Sequence, residues 1–115
     1  MHEISVAFSL LEGVQETALA QGIERVKAVV VRVGALSGIA ADALKFSWEV
    51  ATAETIAEGS ELRIEDIPLV IFCERCETER TPPPGSGVVC PDCGTPARRI
   101  VTGRELQLVA MEVPA

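Results

Sequence analysis

Apolar residues recur along residues 4–20 at close to helical spacing. Ile4, Phe8, Leu11 and Ala18 set the pattern, Ala7 and Val14 lie beside them, and Glu12, Gln15 and Glu16 fall between. This predicts an amphipathic helix with those apolar residues on its buried stripe. Gly13 is a weak point inside it, and Gly22 is placed to end it as a C-terminal cap. Residues 26–33 change the pattern. They are rich in β-branched residues and too short for a typical helix, so they read as a strand. Apolar residues at both parities predict a central strand covered on two faces.

Gly34 and Gly38 bracket Ala35-Leu36-Ser37, a turn into a second helix over 41–53. Leu44, Trp48 and Ala51 mark its buried stripe, which reads as core packing. Glu58-Gly59-Ser60 is a loop. Leu62 and Ile64 then alternate with Arg63 and Glu65 in a second strand, broken by Pro68. From about 69 to 100 no helical period is present. That stretch holds all four cysteines and five of the seven prolines, namely Pro82, Pro83, Pro84, Pro91 and Pro96. Strand-like sequence returns over 105–113. The economical arrangement is an α/β body made from both ends of the chain, with the cysteine segment inserted before the last strand. No repeat of solenoid length is visible.

Composition narrows the classes. At 115 residues, 48% hydrophobic and a mean hydropathy of +0.30, the chain is one folded domain with a small appendage, not a disordered polymer. Aromatics are only 3%, so aliphatic side chains must build the core and a base-stacking surface is poorly supplied. Ten basic against seventeen acidic residues leave a net charge of −7, which argues against nucleic acid and anionic membranes. Residues 1–69 carry eleven acids and five bases, whereas 70–100 carry four of each. The longest apolar run, residues 69–73, is far short of a membrane span. The first residues lack a basic and then apolar leader, so the expected compartment is the reducing cytoplasm.

Cys73-Glu74-Arg75-Cys76 and Cys90-Pro91-Asp92-Cys93 are two Cys-x-x-Cys pairs separated by thirteen residues. Two intervening residues let both sulfurs of a pair reach one ion, and two pairs complete a tetrahedron with Zn–S bonds of about 2.3 Å. Gly94 would allow a tight turn and offer its N–H to a ligand sulfur. Two disulfides do not suit a reducing compartment, and a redox pair would leave the other pair unexplained. Iron could also occupy four thiolates. A closed four-thiolate site has no open coordination position, so it stabilises a fold and does not catalyse. The predicted fold class is therefore α+β: a small mixed sheet with two helices, plus an inserted zinc-ribbon-like module.

His2 is the single histidine. One reading is a solvated terminal side chain. The other is chemical: an imidazole near a free amine and successive backbone nitrogens gathers several nitrogen donors within a few bonds. Such donors in a plane suit Ni(II) or Cu(II). Glu3 could neutralise the ion or orient the ring, or serve as an exposed acid near a helix N-terminus.

Met1-His2-Glu3-Ile4-Ser5, Val33-Gly34-Ala35-Leu36-Ser37-Gly38-Ile39, the two cysteine pairs and Gly103-Arg104-Glu105-Leu106 together span the chain. In these segments the chain resembles the HypA/HybF hydrogenase maturation factors, which deliver nickel to [NiFe]-hydrogenases. The resemblance implies that His2 is the nickel ligand, assisted by backbone nitrogens and Glu3. It implies structural zinc on Cys73, Cys76, Cys90 and Cys93. A nickel-binding body over 1–69 and 101–115 would then carry a zinc-binding module over 70–100. Implied partners are the nickel GTPase HypB and the hydrogenase large subunit, with a homodimer as one candidate assembly; some relatives also serve urease.

The competing class is a zinc-ribbon module for nucleic acid or protein interaction, which the acid excess and scarce aromatics disfavour. No Gly-rich phosphate loop is present, and no Ser/His/Asp set can form without His2, so an enzyme is not expected.

Overall fold

The computed structural model describes residues 2–115. Its elements run α1 (Glu3–Gln21), β1 (Ala28–Gly34), α2 (Ala41–Thr52), β2 (Glu61–Ile67), β3 (Val70–Cys73), β4 (Thr78–Arg80), β5 (Arg99–Thr102) and β6 (Leu106–Glu112). The strands form two three-stranded sheets, ordered β2-β1-β6 and β4-β3-β5. This is the α+β class with two helices that the hydrophobic pattern predicts. The chain divides into two compact units. One holds the chain up to Arg32 with Gly38–Glu65 and Gln107–Ala115; the other holds Val33–Ser37 and Asp66–Leu106.

In the first unit, α1 and α2 pack on one another. Helix α1 ends as its sequence dictates. Gly22 adopts φ 69°, and the N–H groups of Gly22 and Ile23 reach back to the carbonyls of Leu19 and Ala18. That is the glycine-dependent closure of a helix C-terminus. The expected stripe is partly out of phase. Val6, Ala7, Leu10, Leu11, Val14 and Ala18 are buried, whereas Ile4 is 38% and Phe8 52% exposed. At about 100° per residue, Phe8 lies about 120° from the centre of the observed stripe. Val6 and Leu10, not Ile4 and Phe8, widen the buried face. In α2 the expected Leu44, Trp48 and Ala51 are all buried. The Trp48 indole N–H donates to Ser60 Oγ at 2.9 Å, so the one large aromatic of the core leaves no polar atom unpaired.

Strand β1 is central, as its composition predicts. Hydrogen bonds at its two ends give the directions of its neighbours. Glu61 N–H to Lys27 O and Ala35 N–H to Ile67 O make β2 parallel; Lys27 N–H to Glu112 O and Gly34 N–H to Glu105 O make β6 antiparallel. The sheet is therefore mixed. Its two faces are not equally covered, contrary to expectation. Val29, Val31 and Val33 are buried on one, while the other closes at Ala28, half-opens at Val30 and is exposed at Arg32. Valine at both parities reflects strand propensity as well as burial, and Arg32 uses the open face to approach Glu65 at 3.9 Å.

In the second unit, β3 pairs antiparallel with both β4 and β5, and Ile71 at its centre is fully buried. The β1–α2 loop joins residues 103–105: Gly34 N–H bonds Glu105 O and Leu36 N–H bonds Gly103 O, both at 2.7 Å. A Cβ on Gly34 would collide with the Gly103 carbonyl, so glycine is required by the approach of two backbones.

Gly13 is different. A Cβ there would meet Leu108 Cδ2 at 3.7 Å, an ordinary contact. Gly13→Ala should therefore raise stability by about 0.5–1 kcal/mol, the usual helix-interior gain. Denaturant unfolding of the two proteins checks this.

Candidate metal centre

The β3–β4 hairpin builds the first cysteine pair. Cys73 closes β3 opposite Thr78, and Cys76 sits in the intervening turn. Glu77 relieves the tight reversal by adopting φ 55°. The second pair lies on a turn held by Gly94 N–H to Cys90 O and Cys90 N–H to Thr95 O, each 2.9 Å. Gly94 has φ 74°, so the glycine serves the turn as expected. Its N–H, however, goes to a carbonyl and not to a sulfur. Cys76 N–H makes the sulfur contact instead, 3.4 Å from Cys73 Sγ.

The four sulfurs of Cys73, Cys76, Cys90 and Cys93 lie within 4.8 Å of one another. Cys73–Cys93 is 3.5 Å and Cys76–Cys90 is 3.9 Å, while no disulfide joins them. A tetrahedral ZnS4 centre with bonds of about 2.3 Å needs sulfur–sulfur edges of about 3.8 Å. The spacing and the soft donors therefore fit a dication such as zinc.

Their surroundings divide the thiols. Cys93 Sγ donates to the Thr95 hydroxyl oxygen at 3.2 Å; the Thr95 hydroxyl, which can turn its own proton to a thiolate, and then the Thr95 backbone N–H bring Cys93 down to about 6. Backbone N–H groups of Cys93 and Asp92 lower Cys90. Cys76, donating to the Cys93 and Cys73 sulfurs, is pushed up to about 12. Four like charges in one small volume resist joint ionisation unless a cation joins them. Arg80 is the nearby cation. Its Nε lies 2.9 Å from Asp92 Oδ2, and the sulfurs of Cys76 and Cys90 raise its pKa. Sequence reading missed both Thr95 and Arg80. Thr95 follows the second pair closely enough to have been suspected, but nothing in the spacing marks Arg80.

His2 and Glu3 are elsewhere, in the first unit. His2 is the N-cap of α1, with extended backbone (φ −81°, ψ 138°), an exposed side chain and no capping hydrogen bond. Its carbonyl accepts the Val6 N–H at 3.2 Å. Glu3 Oε2 accepts the N–H of Ala40, the N-cap of α2, at 3.1 Å. That bond is the main reason its carboxyl lies below the usual range. The proposed donor amine of Met1 lies outside the described residues.

A two-helix α+β chain with a closed four-sulfur ribbon and a separate, uncommitted terminal imidazole defines a metal-handling protein. The family model for hydrogenase/urease nickel incorporation, the metallochaperone HypA, matches residues 1–113. The chain belongs to this non-catalytic HypA family of nickel metallochaperones in hydrogenase maturation. It is 47% identical over 112 residues to the hydrogenase maturation factor HypA of Roseiflexus sp. (strain RS-1), covering 97% of this chain and 91% of that one. It is 44% identical over 114 residues to that of Chloroflexus aggregans, covering 99% and 100%. The solution structure of the Ni metallochaperone HypA from Helicobacter pylori superposes with a TM-score of 0.70 at 27% identity, covering 100% of this chain and 99% of that one. No helix among the described residues is long and apolar enough to cross a membrane.

Removing the Thr95 hydroxyl removes the donor that favours the Cys93 thiolate. In metal-free protein, the pH profile of Cys93 alkylation should have its midpoint near about 6. Thr95→Val should move that midpoint upward, read by mass spectrometry of the alkylated peptide.

Proposed function

We propose that the chain binds Ni(II) through His2 at its N-terminus, holds zinc on Cys73, Cys76, Cys90 and Cys93, and passes the nickel to a hydrogenase large subunit. The carrying observation is that the exposed imidazole of His2 caps nothing. It can meet an ion without breaking a packing or hydrogen-bonding role. The backbone nitrogens of the first helical turn add to this, because they have no carbonyl partner within the helix. An imidazole with consecutive amide nitrogens makes the planar nitrogen set that Ni(II) accepts.

Glu3 has a more specific part than charge neutralisation alone. Its carboxylate ties the start of α1 to the N-cap of α2, which fixes the backbone that carries His2. Only Oε2 takes part in that bond, so Oε1 could still face an ion. The nickel GTPase HypB and the hydrogenase large subunit are the partners in this reading, in the cytoplasm, with a homodimer as one candidate assembly. Residues 1–69 and 101–115 would form the nickel-binding body and residues 70–100 the zinc-binding module. The four-sulfur site cannot serve as the transfer site, since closing it leaves no open coordination position.

His2→Ala should weaken nickel binding more than about a hundredfold, beyond the loss usual for an outer contact. Zinc content and the unfolding transition should not change. Calorimetric titration of untagged protein checks this, and unchanged affinity would sink the His2 assignment. One residue added before Met1 should also weaken binding if the terminal amine is a donor. Cys90→Ser should lose zinc and destabilise the ribbon, as metal analysis and thermal unfolding would show.

A further inference from the structure

Arg80 ends β4, opposite Ile71 of β3. Its guanidinium leans toward Asp92, which lies between Cys90 and Cys93 on the second turn. The Nε atom is buried, and its N–H makes no hydrogen bond; the 2.9 Å approach to Asp92 Oδ2 is an ion pair without an aligned proton. Among the described residues it is the one buried side-chain nitrogen or oxygen left in that state. A buried N–H on a cation calls for an acceptor. Asp92 lies between Cys90 and Cys93, so the guanidinium sits against the turn of the second cysteine pair, and the sulfurs of Cys76, on the same hairpin as Arg80, and Cys90 raise its pKa. Asp92 is largely exposed, at 62%, whereas the Arg80 side chain is 33% exposed. Solvent therefore weakens the Asp92 contact more than any contact on the buried side.

We propose that Arg80 is the countercharge and positioning residue of the four-sulfur site, its guanidinium donating to the cluster sulfurs while Asp92 anchors it from outside. The inference rests on the reading that the cluster holds zinc. Zinc with four thiolates carries −2, and one guanidinium beside it brings the local charge to −1. Charge-assisted N–H···S contacts withdraw electron density from the thiolates. The sulfurs then protonate less readily and attack electrophiles more slowly, and the ion leaves more slowly. Arg80 also links the hairpin of the first cysteine pair to the turn of the second through Asp92. In a protein whose cargo is another divalent metal, such a device keeps the resident ion from leaving with the cargo.

The test uses the full-length zinc-loaded protein. Arg80→Gln should still bind one zinc per chain but release it to a chelating dye about ten to a hundred times faster, the range usual for outer contacts. Its cysteines should also alkylate faster. With cobalt in place of zinc, the sulfur-to-metal charge-transfer band should move to lower energy. Arg80→Lys keeps the charge without the planar fork and should recover part of the wild-type rate and band position. Asp92→Asn should release zinc faster than wild type and slower than Arg80→Gln. Wild-type release and an unmoved band in Arg80→Gln would overturn the proposal, as would an Arg80→Lys variant no better than Arg80→Gln. If Arg80→Gln fails to fold, Arg80→Lys and Asp92→Asn carry the same comparison with wild type. A wild-type chain that retains no zinc would overturn the zinc reading itself, a result distinct from zinc retained without help from Arg80.

Discussion

Four sulfurs within 4.8 Å of one another are the constraint on which the second unit depends. That unit has little else to hold it. Its three strands have three, four and four residues, and Ile71 is the large aliphatic side chain it buries completely. Cys73 and Cys90 are themselves among its buried residues, so the ligand set is also part of the core. Burial and mutual repulsion oppose ionising the four thiols together, and hydrogen bonds divide them further, those with Thr95 lowering Cys93 and those with the Cys93 and Cys73 sulfurs raising Cys76. A bound dication converts the repulsion into attraction, so that metal binding and folding of such a ribbon share one free energy. The loop of three prolines between the cysteine pairs then needs no core of its own.

The N-terminus is organised on the opposite principle. Here one carboxylate is spent on structure and one imidazole is left free. Two helices that begin close together bring two positive dipole ends near one another. Glu3, bonded to Ala40 at the start of α2 while itself in the first turn of α1, places a negative charge between them. A cation approaching His2 therefore meets less repulsion than two bare helix ends would give. A cargo site has to release its ion, and an exposed donor on the first turn of a helix can rearrange without disturbing the core. A closed tetrathiolate cannot. The two proposed metal sites would suit their separate places in the chain.

Much of this was legible in the sequence because the signals were local. Two Cys-x-x-Cys pairs encode their own geometry, Gly22 encodes a helix end, and residues 26–33 encode a strand. What was misread depended on tertiary partners. Ile4 and Phe8 have the spacing of a buried stripe, but which face of α1 is covered depends on packing partners such as α2, and Val6 and Leu10 are the residues buried. Valine at both parities of β1 suggested two covered faces, yet Arg32 shows one of them opening to solvent. Gly94 makes the tight turn expected of it, but its N–H goes to the Cys90 carbonyl and not to a sulfur. Arg80 could not be found at all, because its relation to Cys76, Cys90 and Asp92 exists only after β4 has paired with β3.

The segments on which the family resemblance rests also separate into two kinds. His2 and the four cysteines offer donor atoms. Gly34 and Gly103 offer none, and the structure gives them a different reason to be there. The backbone at Gly34 approaches the Gly103 carbonyl so closely that a Cβ would collide. Gly103 itself has φ 126°, a conformation open to glycine and strained for other residues. Leu36 N–H bonds the Gly103 carbonyl, and Glu105 both accepts the Gly34 N–H on its own carbonyl and takes the Gly103 N–H on Oε1. Two motifs nearly seventy residues apart in sequence are thus one backbone joint at the entrance to the ribbon strands. A motif scan that asks only for ligands would discard half of that signal. In a chain this short, the backbone geometry of this joint is as specific a mark as the atoms that could hold a metal.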